Sequence, residues 1–239
     1  MASGASDPFA GRRWGEWVVV RRLAVGGMAE IFEARAAAPA EGTPSRVALK
    51  VVLPQHADAP DFRRMLSAEA DLQGRLAHAN LVRVLGHGEA DGRPFLAMEL
   101  VDGPSLAELL RALARDGRPC PPPVALFVGS ELLRGLAYVH EATDETGRSL
   151  RIVHRDVNPP NVLLEHSGRV RLGDFGIARS SGRETRTQTG VIKGKLRYLA
   201  PEQVTGSHLD ARTDVYAAGL VLWELLAGEP HLLGEGEIE

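Results

Sequence analysis

The residues with the strongest chemical potential lie in one short stretch, His154-Arg155-Asp156-Val157-Asn158-Pro159-Pro160-Asn161. A carboxylate and a carboxamide five residues apart, on a loop stiffened by two prolines, suit one general base and one metal ligand. Further on, Asp174-Phe175-Gly176 follows a β-type run, and Asp174 adds a second hard oxygen ligand of the kind magnesium takes. Upstream, Val47-Ala48-Leu49-Lys50 is a β-type run ending in a lysine, and Glu69 follows on a predicted helix. That carboxylate can pair with Lys50 and aim its ammonium at a phosphate, or it can stand as a solvated charge. Earlier still, Gly26 and Gly27 sit between two β-type runs. The missing side chains let backbone amides approach an anion closely, although the pair alone also fits an ordinary turn. A strand and not a helix follows them, which disfavours a dinucleotide-binding fingerprint. These five signals occur in one order.

Composition sharpens one of them. Of 28 basic residues only Lys50, Lys193 and Lys195 are lysines, the rest being arginine. Arginine is a planar fork and lysine a compact point charge, so each retained lysine is a candidate for work that arginine does poorly. Net charge is −3 with no long basic block, which argues against nucleic acid as a partner. A single cysteine, Cys120, excludes an internal disulfide or a cysteine-based zinc site and fits a reducing, cytoplasmic setting. No run of eighteen apolar residues is present, and the N-terminus lacks the apolar core of a signal peptide, so no membrane segment is expected.

The elements that must position these residues follow from periodicity. Residues 1–13 read as a flexible lead-in. Residues 14–98 are mostly short β-type runs, at Val18–Val20, Ile31–Ala34, Val47–Leu53, Leu81–Leu85 and Phe95–Met98. A helix over Phe62–Leu76 interrupts them. Residues 99–104 (Glu-Leu-Val-Asp-Gly-Pro) carry turn chemistry and read as a hinge. Residues 105–239 are mainly helical, at Ser105–Arg115, Val124–His140 and Asp214–Ala227, with short β pieces at Val162–Leu164 and Val170–Leu172. A β-rich lobe followed by a helical lobe is an α+β fold.

With these motifs in hand, the sequence from about Trp17 onward resembles the bacterial members of the eukaryotic-like Ser/Thr protein kinases. The resemblance rests on Val47–Lys50, His154–Asn161, Asp174–Gly176 and Ala200-Pro201-Glu202. It implies a two-lobed kinase fold that takes ATP and magnesium and phosphorylates Ser or Thr hydroxyls of protein substrates. Ala24, Val25, Gly26, Gly27, Met28 and Ala29 would cover the phosphates, with Ile31 and Ala48 completing the nucleotide site. Lys50, paired with Glu69, would hold the α and β phosphates. Met98 would guard the adenine pocket, and the backbone of Glu99 and Val101 would bond adenine. Asp156 would accept the hydroxyl proton, Asn161 and Asp174 would hold magnesium, and Asp214 would brace the catalytic loop. Arg155 would pair with a phosphate on the segment Asp174–Glu202, which offers Ser180, Ser181, Thr185, Thr187 and Thr189. The alternative is a polar, mobile loop without a regulatory phosphate.

The sequence departs from the family in several places. Ala24 and Ala29 replace the outer glycines of the phosphate loop. Asn158 stands where such kinases carry a lysine, and Lys195 where they carry a threonine, so Lys195 is a candidate for the missing ammonium or a solvated loop residue. The family's last C-terminal helices have no counterpart here, and Glu202 lacks the later arginine that normally pairs with it. The rival to an active kinase is therefore a catalytically impaired kinase-fold module that binds nucleotide or acts as a scaffold.

Val215–Leu226 is apolar almost all round, which belongs to a helix with neighbours on every side. Each large apolar side chain left wet forfeits roughly 1.5–3 kcal/mol. The 239-residue chain is expected to self-associate or to require a partner over its C-terminal lobe. Sedimentation velocity and thermal melting check this; a monomer that melts cooperatively well above physiological temperature would contradict it.

Overall fold

The computed structural model describes residues 8–38, 44–57, 60–175 and 196–231. Those within 1–77 and 82–101 form one compact unit, and those within 78–81 and 102–239 form a second.

The first unit is a six-stranded antiparallel sheet. Its strands are β1 (Arg13–Trp14), β2 (Trp17–Val25), β3 (Ala29–Ala36), β4 (Arg46–Val52), β5 (Val84–Ala90) and β6 (Arg93–Glu99), in the order β1-β2-β3-β4-β6-β5. Alternation along β3, β4 and β6 gives the sheet two different faces. One is dry: Phe32, Ala34, Val47, Leu49, Val51, Phe95 and Ala97 pack with Trp14, Trp17 and Val19. Residues 8–13 carry contacts that a free lead-in would lack. Phe9 packs on Phe32 at 5.1 Å between ring centroids, the Gly11 amide donates to the Val19 carbonyl, and Arg12 pairs with Asp91 at 2.7 Å. Two aromatic rings and a salt bridge outweigh the polar composition from which the lead-in was read.

Two helices follow β4, α1 (Pro54–Ala57) and α2 (Pro60–Gly74). Leu66, Ala70 and Gln73 form the buried stripe of α2 at helical spacing, and Leu66 meets Val52 and Ala57. The strand expected at Leu81–Leu85 lies later, at Val84–Ala90. Its Gly-His-Gly-Glu centre has little β propensity of its own; pairing with β6 imposes the conformation. Gly88 is required there by space, because an added Cβ would come within 2.9 Å of the Phe95 ring.

The second unit is helical around a two-stranded ribbon, which with the first unit makes the α+β class expected from sequence. It contains α3 (Leu106–Arg115), α4 (Pro122–His140), a 3₁₀ turn (Pro159–Asn161), β7 (Val162–Leu164), β8 (Val170–Leu172), α5 (Pro201–Thr205) and α6 (Ala211–Ala227). A capping box starts α3: the Glu108 amide donates to Ser105 Oγ, and the Ser105 amide donates to the Glu108 carboxylate at 2.7 Å. Helices α4 and α6 pack on each other, with Leu222 against Gly129, where an added Cβ would meet Leu222 Cδ1 at 3.2 Å. Asn80 ties α4 to the ribbon. Its Nδ2 donates to Glu131 at 2.8 Å and to the Val170 carbonyl at 3.0 Å, while its carbonyl accepts from the Leu172 amide. Thr213, Asp214, Ala217, Ala218, Val221 and Leu225 of α6 are buried, whereas Val215 (53%) and Trp223 (51%) are half exposed.

Residues 102–104 run against 164–166 in an extended pairing: Leu164 N–H donates to the Pro104 carbonyl at 2.8 Å and His166 N–H to the Asp102 carbonyl at 2.9 Å. A Cβ on Gly103 would stand 1.9 Å from the Leu164 carbonyl oxygen, a main-chain atom that cannot swing aside as a side chain could. Gly103→Ala is expected to destabilise this unit by about 1–3 kcal/mol through forced backbone displacement. Urea unfolding of the two chains measures it, and equal midpoints would show that the pairing yields without cost.

Candidate active site

The second face of the sheet collects the candidate nucleotide-binding residues of the first unit. Ile31 lies opposite Lys50, Ala48 opposite Met98, and Lys50 opposite Leu96, so Ile31, Ala48, Lys50 and Met98 share one face across β3, β4 and β6. Ala48 and Met98 are buried and Lys50 is half-buried. Gly26 and Gly27 form the tip between β2 and β3, closed by Gly26 N–H donating to the Ala29 carbonyl at 2.8 Å. The tip is tied down behind, since Leu53 N–H donates to the Met28 carbonyl at 2.8 Å. Ala24 pairs with Ile31 and Val25 with Glu30, beside a register shift between Arg22 and Ala24. At the end of β6 the Glu99 amide donates to the Arg83 carbonyl, and Val101 is half-buried. Glu69 lies on α2, but its side chain falls outside the described residues.

The catalytic-loop residues come together in the second unit. Asp214, in the first turn of α6 and 1% exposed, accepts at Oδ2 from the His154 amide (2.7 Å) and at Oδ1 from the Arg155 amide (2.8 Å). His140 at the end of α4 lies 2.8 Å from the same carboxylate. The loop then turns through Arg155 at φ +66°, a left-handed value rare outside glycine, and Gln203 Nε2 donates to the Arg155 carbonyl. Asp156 follows, buried. Asn158 Nδ2 donates to Asp156 Oδ1 at 2.8 Å, and Asn161 Nδ2 donates to Asp156 Oδ2 at 2.9 Å. Both amides also donate to the Asp156 carbonyl at 2.8 Å. The 3₁₀ turn over Pro159–Asn161 holds this spacing, with Asn161 N–H donating to the Asn158 carbonyl.

Asp174 is drawn to the same loop: Gly173 N–H donates to the Asn161 carbonyl at 2.9 Å, and Asp174 takes φ +56°. Phe175 is buried against His154, with ring centroids 4.4 Å apart. His154 is fully buried, and that burial pushes its pKa down against the opposing attraction of Asp214, Asp156 and Asp174. A neutral ring fits its bonds, since Nδ1 accepts from the Asp156 amide while Nε2 faces the Gly173 carbonyl at 3.1 Å. Glu202 accepts from Thr213 Oγ1 at 2.7 Å. Lys195, Ser180, Ser181, Thr185, Thr187 and Thr189 lie outside the described residues.

Sequence reasoning missed His140, Gln203 and the clamp that Asn158 makes. His140 carried one available signal, a polar ring closing an apolar helix. The others depend on contacts between distant segments.

The model of the protein kinase domain family matches residues 17–239. Among named relatives, the tyrosine-protein kinase MasK of Myxococcus xanthus is 43% identical over 213 residues, covering 89% of this chain and 33% of MasK. The serine/threonine-protein kinase PknL of Mycobacterium tuberculosis is 35% identical over 242 residues, covering all of this chain and 56% of PknL. The chain thus spans between one third and just over half of these relatives. The crystal structure of the M. tuberculosis PknI kinase domain is similar, with a TM-score of 0.73 and 30% identity over 95% of this chain and 79% of that one.

The buried His154 has a measurable signature. Its folded pKa lies below the ordinary 6.5, so as pH falls the unfolded chain takes up a proton that the folded chain refuses. Its contribution is complete above about pH 6.5 and is lost below it, by at most about 1.4 kcal/mol per pH unit. His154→Phe keeps a ring against Phe175 and removes the titration. The unfolding free energy of wild type relative to this variant should fall between about pH 6.5 and 5 and stay level above; a level difference throughout would mean that His154 charges in the folded state.

Proposed function

We propose, on the premise that the chain belongs to the protein kinase family, that it is an ATP-dependent protein kinase acting on Ser and Thr hydroxyls. The observation that carries this reading is the catalytic loop. One carboxylate, Asp156, is held at both oxygens by two carboxamides, and one of these, Asn161, also faces the main-chain carbonyl of Asp174 on the following segment.

In this reading Asp156 accepts the proton of the attacking hydroxyl while that oxygen bonds the γ-phosphorus and the bond to the β-phosphate oxygen breaks. The bonds from Asn158 and Asn161 hold one oxygen each and so fix the plane in which this carboxylate meets the hydroxyl. Lys50 supplies a half-buried cation for the nucleotide phosphates, and Gly26 and Gly27 supply backbone amides unobstructed by side chains. Ile31, Ala48 and Met98 give the same sheet face an apolar surface suited to adenine, with the backbone of Glu99 and Val101 at its edge. The donor set also fits magnesium. Asn161 directs its Nδ2 at Asp156, which leaves its carboxamide oxygen for a cation, and Asp174 brings a carboxylate of the hard type magnesium prefers. Bound magnesium would neutralise charge on the transferring phosphate. Arg155, with Thr185, Thr187 and Thr189 as acceptors, would place the enzyme under control by phosphorylation, and Lys195 remains the candidate for the ammonium that position 158 lacks. A partner or a second copy over the exposed apolar residues of α6 belongs to the same reading.

Transfer of labelled phosphate from ATP to a basic protein substrate, followed by phosphoamino-acid analysis, tests the proposal. Phosphoserine and phosphothreonine are expected. Phosphotyrosine alone would place the chain with MasK in specificity, and nucleotide binding without transfer would make it a binding module. Lys50→Met and Asp156→Asn should each reduce turnover to background, the first by misplacing phosphate and the second without loss of ATP binding. Near wild-type turnover of Asp156→Asn at saturating ATP would show that the base lies elsewhere.

A further inference from the structure

The catalytic loop holds two buried polar atoms that find no hydrogen-bond partner among the described residues, Arg155 Nε and Asn158 Oδ1. One can only donate and the other can only accept. Both residues line one small cavity together with Asp156, Tyr198, Thr213 and Asp214. The space it leaves for the centre of a water molecule is about 10 Å³, which suits a single water. The orientation of the Asn158 amide is fixed by what it faces. Its Nδ2 lies 2.8 Å from both the carbonyl and Oδ1 of Asp156, two atoms that can only accept. Turning the amide over would set oxygen against oxygen at both contacts, so Oδ1 must face away from Asp156.

We propose that Asn158 is a positioning residue for Asp156, locked in place by one ordered water that accepts from Arg155 Nε–H and donates to Asn158 Oδ1. Every polar atom of the Asn158 side chain is then bonded, as a side chain only 1% exposed requires. Asp156 is gripped at Oδ1 by Asn158 and at Oδ2 by Asn161, which fixes the plane of its carboxylate and the direction of its remaining acceptor sites. A lysine at position 158 would bring a charge on a flexible stem; the asparagine supplies no charge and a short, rigid clamp. It also connects the guanidinium of Arg155 to the base through three hydrogen bonds, by way of the water and the Asn158 amide. The inference rests on the kinase reading, in which Asp156 takes the hydroxyl proton.

Two measurements on the wild-type chain and three variants test it. A crystal structure at a resolution that shows buried water should contain one density peak within hydrogen-bond reach of both Arg155 Nε and Asn158 Oδ1; no peak there overturns the bridge. In steady-state kinetics, Asn158→Leu removes both polar atoms while keeping the branched shape and should lower kcat by roughly 10- to 100-fold, because a base misplaced by about 1 Å can lose about 100-fold. The KM for ATP should stay within about twofold, since nucleotide contacts are untouched. Asn158→Lys, which restores a donor to Asp156, should recover most of the loss, which a merely structural role would not produce. If Asn158→Leu melts early, Asn158→Ala carries the same comparison without the added bulk. A folded variant without the amide that keeps wild-type kcat overturns the positioning role. If the wild-type chain transfers no phosphate at all, the kinase reading has failed, and the density measurement still decides whether the water joins Arg155 to Asn158.

Discussion

The carboxylate of Asp214 is the contact on which the catalytic loop depends. It is charged and nearly inaccessible, so it is tolerable only if its oxygens are bonded. Two of its donors are consecutive main-chain amides, those of His154 and Arg155, and pairing them with one side chain dictates where the loop begins. That grip lets Arg155 keep a left-handed backbone, a conformation that would otherwise relax. The sharp turn there delivers Asp156 to the two asparagines. Helix α6 supplies the fixed point: Asp210 caps it by accepting from the Arg212 amide, and Asp214 lies in its first turn, where the helix dipole favours an anion.

The catalytic loop thus joins distant parts of the chain through short polar bonds. His154 reaches the Gly173 carbonyl and packs on Phe175, Gln203 reaches back to Arg155, and Asn161 takes the Gly173 amide on its carbonyl. None of these partners is a neighbour in sequence. In the first unit the organising device is different, the strict alternation of β3, β4 and β6. It gives one sheet a dry face for folding and a mixed face on which Lys50, Ala48, Ile31 and Met98 gather.

Much of this was legible in the sequence because it is local. The spacing of Asp156 and Asn161, the apolar runs of β4 and β6, and the bounds of β7 and β8 depend on neighbouring residues and period alone. What was not legible depends on the tertiary environment. Strand β5 takes its conformation from β6 and its glycine from the Phe95 ring, so its own composition misleads. Residues 8–13 look polar but are held by Phe32 and Asp91. Asn158 read as a missing lysine, and only the geometry reveals that its amide is spent on the base. Helix α6 read as apolar almost all round, and hydropathy alone does not say which of its faces have neighbours.

The three tryptophans fall into two environments, and this gives the protein a built-in optical label for each unit. Trp14 and Trp17 are 0% and 4% exposed in the dry layer of the sheet, whereas Trp223 is 51% exposed on α6 with the His231 ring 5.1 Å away. Buried indoles emit at shorter wavelength than wetted ones, and a neighbouring imidazole quenches when protonated. The blue part of the emission therefore reports the sheet and the red part the helical unit. Loss of order in either can be followed in the native chain, without dyes or substitutions.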